Sequence, residues 1–247
     1  MDITKHKDHR PWKMPNQPWI MYQAWKDLLF IHWEIEVDEI KHLIPKGLEI
    51  DTFNGKAWIA VVPFMMRDVM PRYTFPVPWL SYFLELNVRT YVKLNNKAGV
   101  FFLSLEASNP IAVKIARKLF YLPYMDANMS VNKENGYFNY YSKRTHKNEP
   151  KAEFEVKYKP ISDIITYKPD SIESWLTERY CLYSVNQKGQ IYIGEIHHKK
   201  WNLQEAECQI ITNTMTLCHG IKTPKTEPLL HYSKNIEVVV WYPSPIS

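Results

Sequence analysis

Glu85, Asn87 and Arg89 alternate with Leu84, Leu86 and Val88 in the run FLELNVRTYV, Phe83 to Val92. Successive side chains of a strand point to opposite faces, so these three polar groups are expected to share one face. A second run, Val100 to Ala107, keeps Phe101, Leu103, Leu105 and Ala107 on odd positions and Ser104 and Glu106 on even ones. Asn95, Asn96 and Gly99 supply turn chemistry between the runs. With Leu94 opposite Gly99, Arg89 faces Ser104 and Asn87 faces Glu106. The polar residues of both strands then meet on one side. Glu85, Arg89 and Glu106 are the candidate catalytic residues, with Asn87 and Ser104 as ligand contacts. A guanidinium grips a carboxylate or enol oxygen. A buried carboxylate with a raised pKa serves as a general base. The competing reading is the ordinary solvated face of an antiparallel sheet.

The elements around this hairpin read as mainly β. The chain of 247 residues has 16 Tyr, 9 Trp and 17 Pro against 7 Gly. That composition favours short strands with stiff loops. Asn54-Gly55 between Leu48–Phe53 and Lys56–Phe64 is a strong hairpin signal. Further strands are expected at Tyr137–Arg144, Ala152–Lys159, Cys181–Val185, Gln190–Ile196 and Ile236–Tyr242, and Trp19–Trp33 as helix or strand. Arg67–Leu80 reads as a proline-rich loop that either covers a pocket or makes a rigid connection. Helices are expected at Asp38–Ile44, after Ser108 or Asn109, and from Asp170 or Ser171 to about Arg179. In the second, Ile111, Ile115 and Leu119 are expected to be the buried stripe and Lys114 and Lys118 to face solvent. Tyr124, Asp126 and Asn128 are expected in the polar loop that follows it. Residues 1–17 read as a loose arm and residues 18–247 as a single domain.

Other chemistry is excluded by spacing. His197 and His198 are adjacent, so on a strand they face opposite ways, and no HxH, HExxH or Cys/His cluster supports a metal. No metal and no cofactor are expected. Cys181, Cys208 and Cys218 form neither a disulfide framework nor a CxxC pair, which fits a reducing cytoplasm. Net charge is +5, with basic and acidic residues interleaved. No nucleic-acid partner is expected from that pattern. No apolar run reaches spanning length, so no membrane partner is expected either.

The motifs FLELNVRTYV, GVFFLSLEA (Gly99–Ala107), LPYMDANM (Leu122–Met129), LLFIHW (Leu28–Trp33), LTERYCLY (Leu176–Tyr183) and IHHKKWNLQEAE (Ile196–Glu207) resemble the YqjF-like family of uncharacterised proteins. That family is similar to the acetoacetate decarboxylase-like superfamily. The resemblance implies a curved antiparallel β-barrel or double sheet with a few peripheral helices and a central cavity. True decarboxylases carry an Arg, then a Pro followed by two lysines, the first forming a Schiff base. Here Arg117 and Pro123 match, but Tyr124 and Met125 stand where the lysines would be. The resemblance therefore implies the scaffold without the imine chemistry. It makes Tyr124 a hydrogen-bond donor to a ligand and adds Asp126 to the ligand-binding candidates. The expected partner is a small organic, carboxylate-like molecule in the barrel. A non-catalytic sensor and a packed structural barrel are the alternatives, and self-association is left open.

Overall fold

The computed structural model describes residues 3–222, 224 and 226–246. Its strands are β1 (Met21–Ile35), β2 (Glu49–Ile50), β3 (Ala57–Pro71), β4 (Phe83–Leu94), β5 (Lys97–Ala107), β6 (Tyr124–Glu134), β7 (Tyr137–Arg144), β8 (Glu153–Pro160), β9 (Cys181–Val185), β10 (Ile191–His198), β11 (Gln204–Asn213), β12 (Leu229–Val240) and β13 (Ser244–Pro245). The helices are α1 (Val37–Ile40), α2 (Pro78–Ser81), α3 (Pro110–Phe120) and α4 (Ile172–Thr177).

The strands pair in the order β13-β10-β9-β5-β6-β7-β8-β11-β12-β1-β3-β4-β2, with further pairs β10–β12 and β4–β5. These pairings close two rings on one shared wall, β12-β1-β3-β4-β5. One ring closes through β9 and β10, giving seven strands. The other closes through β6, β7, β8 and β11, giving nine. Both faces of the wall are therefore interior. Leu28, Phe30, Ala60, Val62, Phe64, Leu105 and Val238 belong to one core, inside the seven-strand ring. Leu29, Ile31, Ile59, Val61, Leu86, Val88, Tyr140 and Val156 belong to the other.

β5 forks. Val100 and Phe101 pair in parallel with Leu182 and Tyr183 of β9. Leu105 to Ala107 pair in parallel with Tyr124 to Asp126 of β6. Gly99 sits where β9 comes closest, inside β5 rather than in the turn. A Cβ there would lie 2.7 Å from Cys181 Sγ and 2.8 Å from the Cys181 carbonyl oxygen. The turn itself is Asn95-Asn96, both with positive φ, and it closes Leu94 against Lys97.

Asn54 and Gly55 make the expected tight turn, both with positive φ, while Phe53 and Lys56 exchange backbone hydrogen bonds across it. Asn109 caps α3, its Oδ1 accepting from the amides of Ile111 and Ala112. Trp19–Trp33 resolves into strand β1, because its apolar residues alternate into both cores. Three local expectations are corrected. Tyr124–Asn128 opens strand β6 and is not a loop, since β5 supplies a partner edge. β11 was not read at all. Its burial is patchy along Gln204–Asn213, so no clean period marks it. On α3 the buried side chains are Val113 and Phe120, whereas Ile111, Ile115 and Leu119 are 47%, 44% and 43% exposed. The periodicity marked a real stripe on the wrong side of the helix.

Of the residues before β1, Ile3, Arg10 and Trp12 make specific contacts with β10. His197 Nε2 meets the Ile3 carbonyl oxygen at 3.1 Å. Arg10 Nη2 donates to Glu195 Oε2 at 2.9 Å, and Trp12 Nε1 donates to the same oxygen. Among the described residues no helix is long and apolar enough to cross a membrane.

The fork predicts that Gly99→Ala destabilises the fold, because the new methyl meets backbone as well as side chain. A loss of about 1–3 kcal/mol is expected, read from chemical denaturation. An unchanged midpoint would show that β5 and β9 separate without cost.

Candidate functional site

β4 and β5 do not pair in the expected register. Leu86 lies opposite Glu106 and Val88 opposite Ser104, with a bulge before Arg89, which lies opposite Phe102. A two-residue turn shifts the pairing by two, and the bulge recovers one. A displacement of one residue moves a side chain to the other face. The expected patch is thus divided by the sheet. Glu85, Asn87 and Arg89 point into the seven-strand ring, while Ser104 and Glu106 point into the nine-strand ring.

Inside the seven-strand ring, Tyr124 Oη donates to Glu85 Oε2 at 2.8 Å. Both residues are buried. Burial, against the pull of the Tyr124 hydrogen bond, pushes the Glu85 carboxyl up to about 8. Burial, reinforced by Glu85, also raises the Tyr124 phenol well above its ordinary value. A carboxyl of this kind holds its proton at neutral pH and exchanges it slightly above.

Further along the same face lies Arg89. Its guanidinium stacks on Phe30 at 5.2 Å and on Tyr91 at 5.7 Å, and Nη2 donates to Tyr91 Oη at 3.4 Å. Tyr91 Oη also meets His32 Nε2 at 2.6 Å. Among the described residues no carboxylate pairs with Arg89. Its Nε has no hydrogen bond, nor has Asn87 Oδ1 or His32 Nδ1. Across the wall, His231 and Ser233 lie opposite Phe30 and Leu28, and so face the same interior. His231 Nδ1 and Ser233 Oγ are likewise without partners. Burial, with Arg89 and His231 adding to it, drives His32 well below the usual imidazole range. Burial lowers the His231 imidazole as well, against the opposing pull of Glu173 and Glu205.

In the nine-strand ring the candidates are committed to one another. Arg144 Nε donates to Glu106 Oε1 at 2.9 Å, and Nη2 reaches the same oxygen and Ser104 Oγ. Ser104 Oγ lies 3.3 Å from Glu106 Oε2 and 3.2 Å from His219 Nε2. Burial pulls the Arg144 guanidinium down, but Glu106 and Cys218 together more than restore it. Breaking such a buried pair by removing one partner is strongly destabilising. Asp126 stands apart from both clusters, half-buried, with its Oδ2 2.9 Å from His146 Nδ1. Sequence reasoning missed Arg144, His219, His231 and Ser233. Each reaches its cluster from a distant strand or turn, and no local pattern marks it.

Two hollows are described on the surface. One, about 1010 Å³, lies between α3 and the β9–β10 turn and has Arg117, Pro123 and Met125 in its wall. The other, about 430 Å³, is lined by Trp19, Arg72, Tyr73 and Trp241. Neither has Glu85, Arg89 or Glu106 in its wall. Among the described residues no group of three or more His, Cys, Asp or Glu could hold a metal ion.

This architecture is the acetoacetate decarboxylase-like fold. The chain superposes on the acetoacetate decarboxylase of Legionella pneumophila with a TM-score of 0.64 at 11% identity, covering 99% of this chain and 94% of that one. It superposes on MppR, an enzyme of enduracididine biosynthesis solved with the condensation product of pyruvate and imidazole 4-carboxaldehyde. There the TM-score is 0.67 at 8% identity, over 96% and 92% of the two chains. At that identity the likeness speaks for the fold alone. The profile of the DUF2071 family, described as an uncharacterised conserved protein, matches residues 22–237, and the chain belongs to that family. It is 43% identical over 239 residues to the uncharacterised protein YqjF of Bacillus subtilis strain 168, covering 97% of this chain and 98% of that one.

The raised Glu85 pKa sets a sign. Between about 4.5, the ordinary value, and about 8 the folded state holds a proton that the unfolded state has lost. Stability therefore falls as pH rises through that window. Glu85→Gln removes this slope. The melting temperature of the variant minus that of the wild type is expected to grow from pH 5 to pH 8. A difference independent of pH would mean that Glu85 titrates normally.

Proposed function

We propose that the seven-strand ring binds a small organic carboxylate, gripped by Arg89, and that Glu85 with Tyr124 exchanges a proton with the bound molecule. The observation that carries this reading is the unpaired guanidinium. Arg89 is 8% exposed and lacks a counterion among the described residues, and its Nε is unsatisfied. A buried charge without a partner is costly, so a native interior that keeps one is suited to an anion from outside. Asn87 Oδ1 and His32 Nδ1 add polar contacts along the same face.

Glu85 and Arg89 are four residues apart on β4, a spacing of roughly 13 Å along a strand. A carboxylate at Arg89 thus directs the rest of the ligand along the strand, past Asn87, toward Glu85 and Tyr124. Glu85, neutral at pH 7, gives its proton to a developing enol or alkoxide oxygen, and Tyr124 Oη holds the resulting carboxylate. The fold neighbour MppR has been solved with pyruvate, which supports 2-oxo acids as the first class to try. A lysine imine is not the route. Tyr124 cannot condense with a ketone, and Lys114 and Lys118 lie in the wall of the outer groove.

A packed, ligand-free interior is favoured by one observation, that Phe30 and Tyr91 already pack on the Arg89 guanidinium. The same experiment decides between the two. Pyruvate, 2-oxobutyrate and acetoacetate are each tested for a rise in melting temperature. Arg89→Met is expected to fold with equal or greater stability, since it replaces an unpaired buried charge by an apolar group of similar size. It should abolish the rise. A panel without effect, or a rise that persists in Arg89→Met, refutes the carboxylate site. Treatment with acetoacetate and borohydride should leave the intact mass unchanged. A stoichiometric adduct on an interior lysine would make this a Schiff-base enzyme after all.

A further inference from the structure

α3 buries one face and leaves a second apolar face in water. Ile111, Ile115 and Leu119 stand at i, i+4 and i+8, so they form one line along the outside of the helix. Asn109 Nδ2 donates to the Trp79 carbonyl oxygen at 2.8 Å, which ties the start of α3 to α2. Trp79 in α2 is 65% exposed, and Phe75 in the loop before α2 is 78% exposed. Together these five side chains expose on the order of 500 Å², near the upper end for a patch on a monomer.

The flank of this stripe is cationic. Lys114 and Lys118 are exposed on the adjoining side of α3. With Arg117 and Lys188 they line the 1010 Å³ groove, where Glu149 is the one acidic residue in the wall. Arg117 is fixed there by donation from Nη1 to the Tyr124 carbonyl oxygen at 2.6 Å. Residues 69–82 and 108–123 contain Arg72, Lys114, Arg117 and Lys118 and no Asp or Glu. An apolar line with interfacial aromatics beside a basic groove matches an amphiphilic surface with negative headgroups. A second copy of this chain fits less well. A two-fold axis that pairs the α3 stripes antiparallel places Lys114 and Lys118 of both copies along the same edge, like charge against like.

We propose that this face docks the protein peripherally on an anionic lipid surface. Phe75, Trp79, Ile111, Ile115 and Leu119 enter the headgroup and acyl boundary, and the cations of the groove hold lipid phosphates. The absence of a spanning segment does not bear on such docking.

The test is co-sedimentation of the full chain with vesicles of phosphatidylcholine alone and of phosphatidylcholine mixed with phosphatidylglycerol. Binding to the mixed vesicles is expected to be at least about tenfold tighter and to weaken as salt is raised. Paired substitutions Ile115→Ser with Leu119→Ser, and Lys114→Glu with Lys118→Glu, should each weaken it about tenfold or more. Both pairs are exposed, so melting temperatures should stay at the wild-type value. The proposal is overturned if neither vesicle binds, if both bind equally, or if the groove binds inorganic pyrophosphate while vesicles are ignored. It is also overturned if the serine pair halves the mass in analytical ultracentrifugation, which would show a second copy covering the stripe.

Discussion

A β-sheet with both faces buried has no place to leave a polar side chain in water, and the wall β12-β1-β3-β4-β5 is such a sheet. Every polar residue buried on it must be paired, neutral or kept for something that arrives later. Glu106 and Ser104 take the first course through Arg144 and His219. Glu85 takes the second, holding its proton. Arg89 does neither, and its orphaned Nε is the one charged group among the unpartnered polar atoms that the described residues of the candidate site leave facing this interior. The character of the candidate site thus follows from topology. The same residues on a one-sided sheet would be ordinary solvated neighbours.

The fork in β5 serves this arrangement. One strand gives its first half to β9 and its second half to β6, so each ring borrows the same edge at a different height. Tyr124 is the first residue of β6 and enters the seven-strand ring at the crotch of the fork, where it meets Glu85. The lysine of a decarboxylase and this tyrosine thus stand at matching places in the sequence motif but offer different reactivity. A phenol orients and donates where an amine would condense.

Much of this was legible in the sequence. Alternation marked β4, β5, β7 and β8, because period two survives even where both faces are interior. The Asn54-Gly55 turn and the Asn109 cap were legible from turn and capping chemistry. The division of the candidate patch was not. It depends on a bulge beside Arg89, and apolar residues lie on both sides of that bulge, so no mismatch betrays it. The assignment of the α3 stripe failed for a related reason. Periodicity reports that a face is apolar but not what covers it, and here the smaller Val113 and Ala116 turn inward. Arg144 and His219 were invisible because their partners are 38 and 115 residues distant.

β12 (Leu229–Val240) belongs to both rings and follows in chain order every strand that it pairs with. Until it is added, β1 and β11 each present an open hydrogen-bonding edge, and neither core is sealed. During synthesis, therefore, the strands that precede β12 emerge as a curved sheet with two unzipped seams. Pairing of β12 closes both seams at once. Non-local closure of this kind is slow, and the waiting edges invite pairing with other nascent chains.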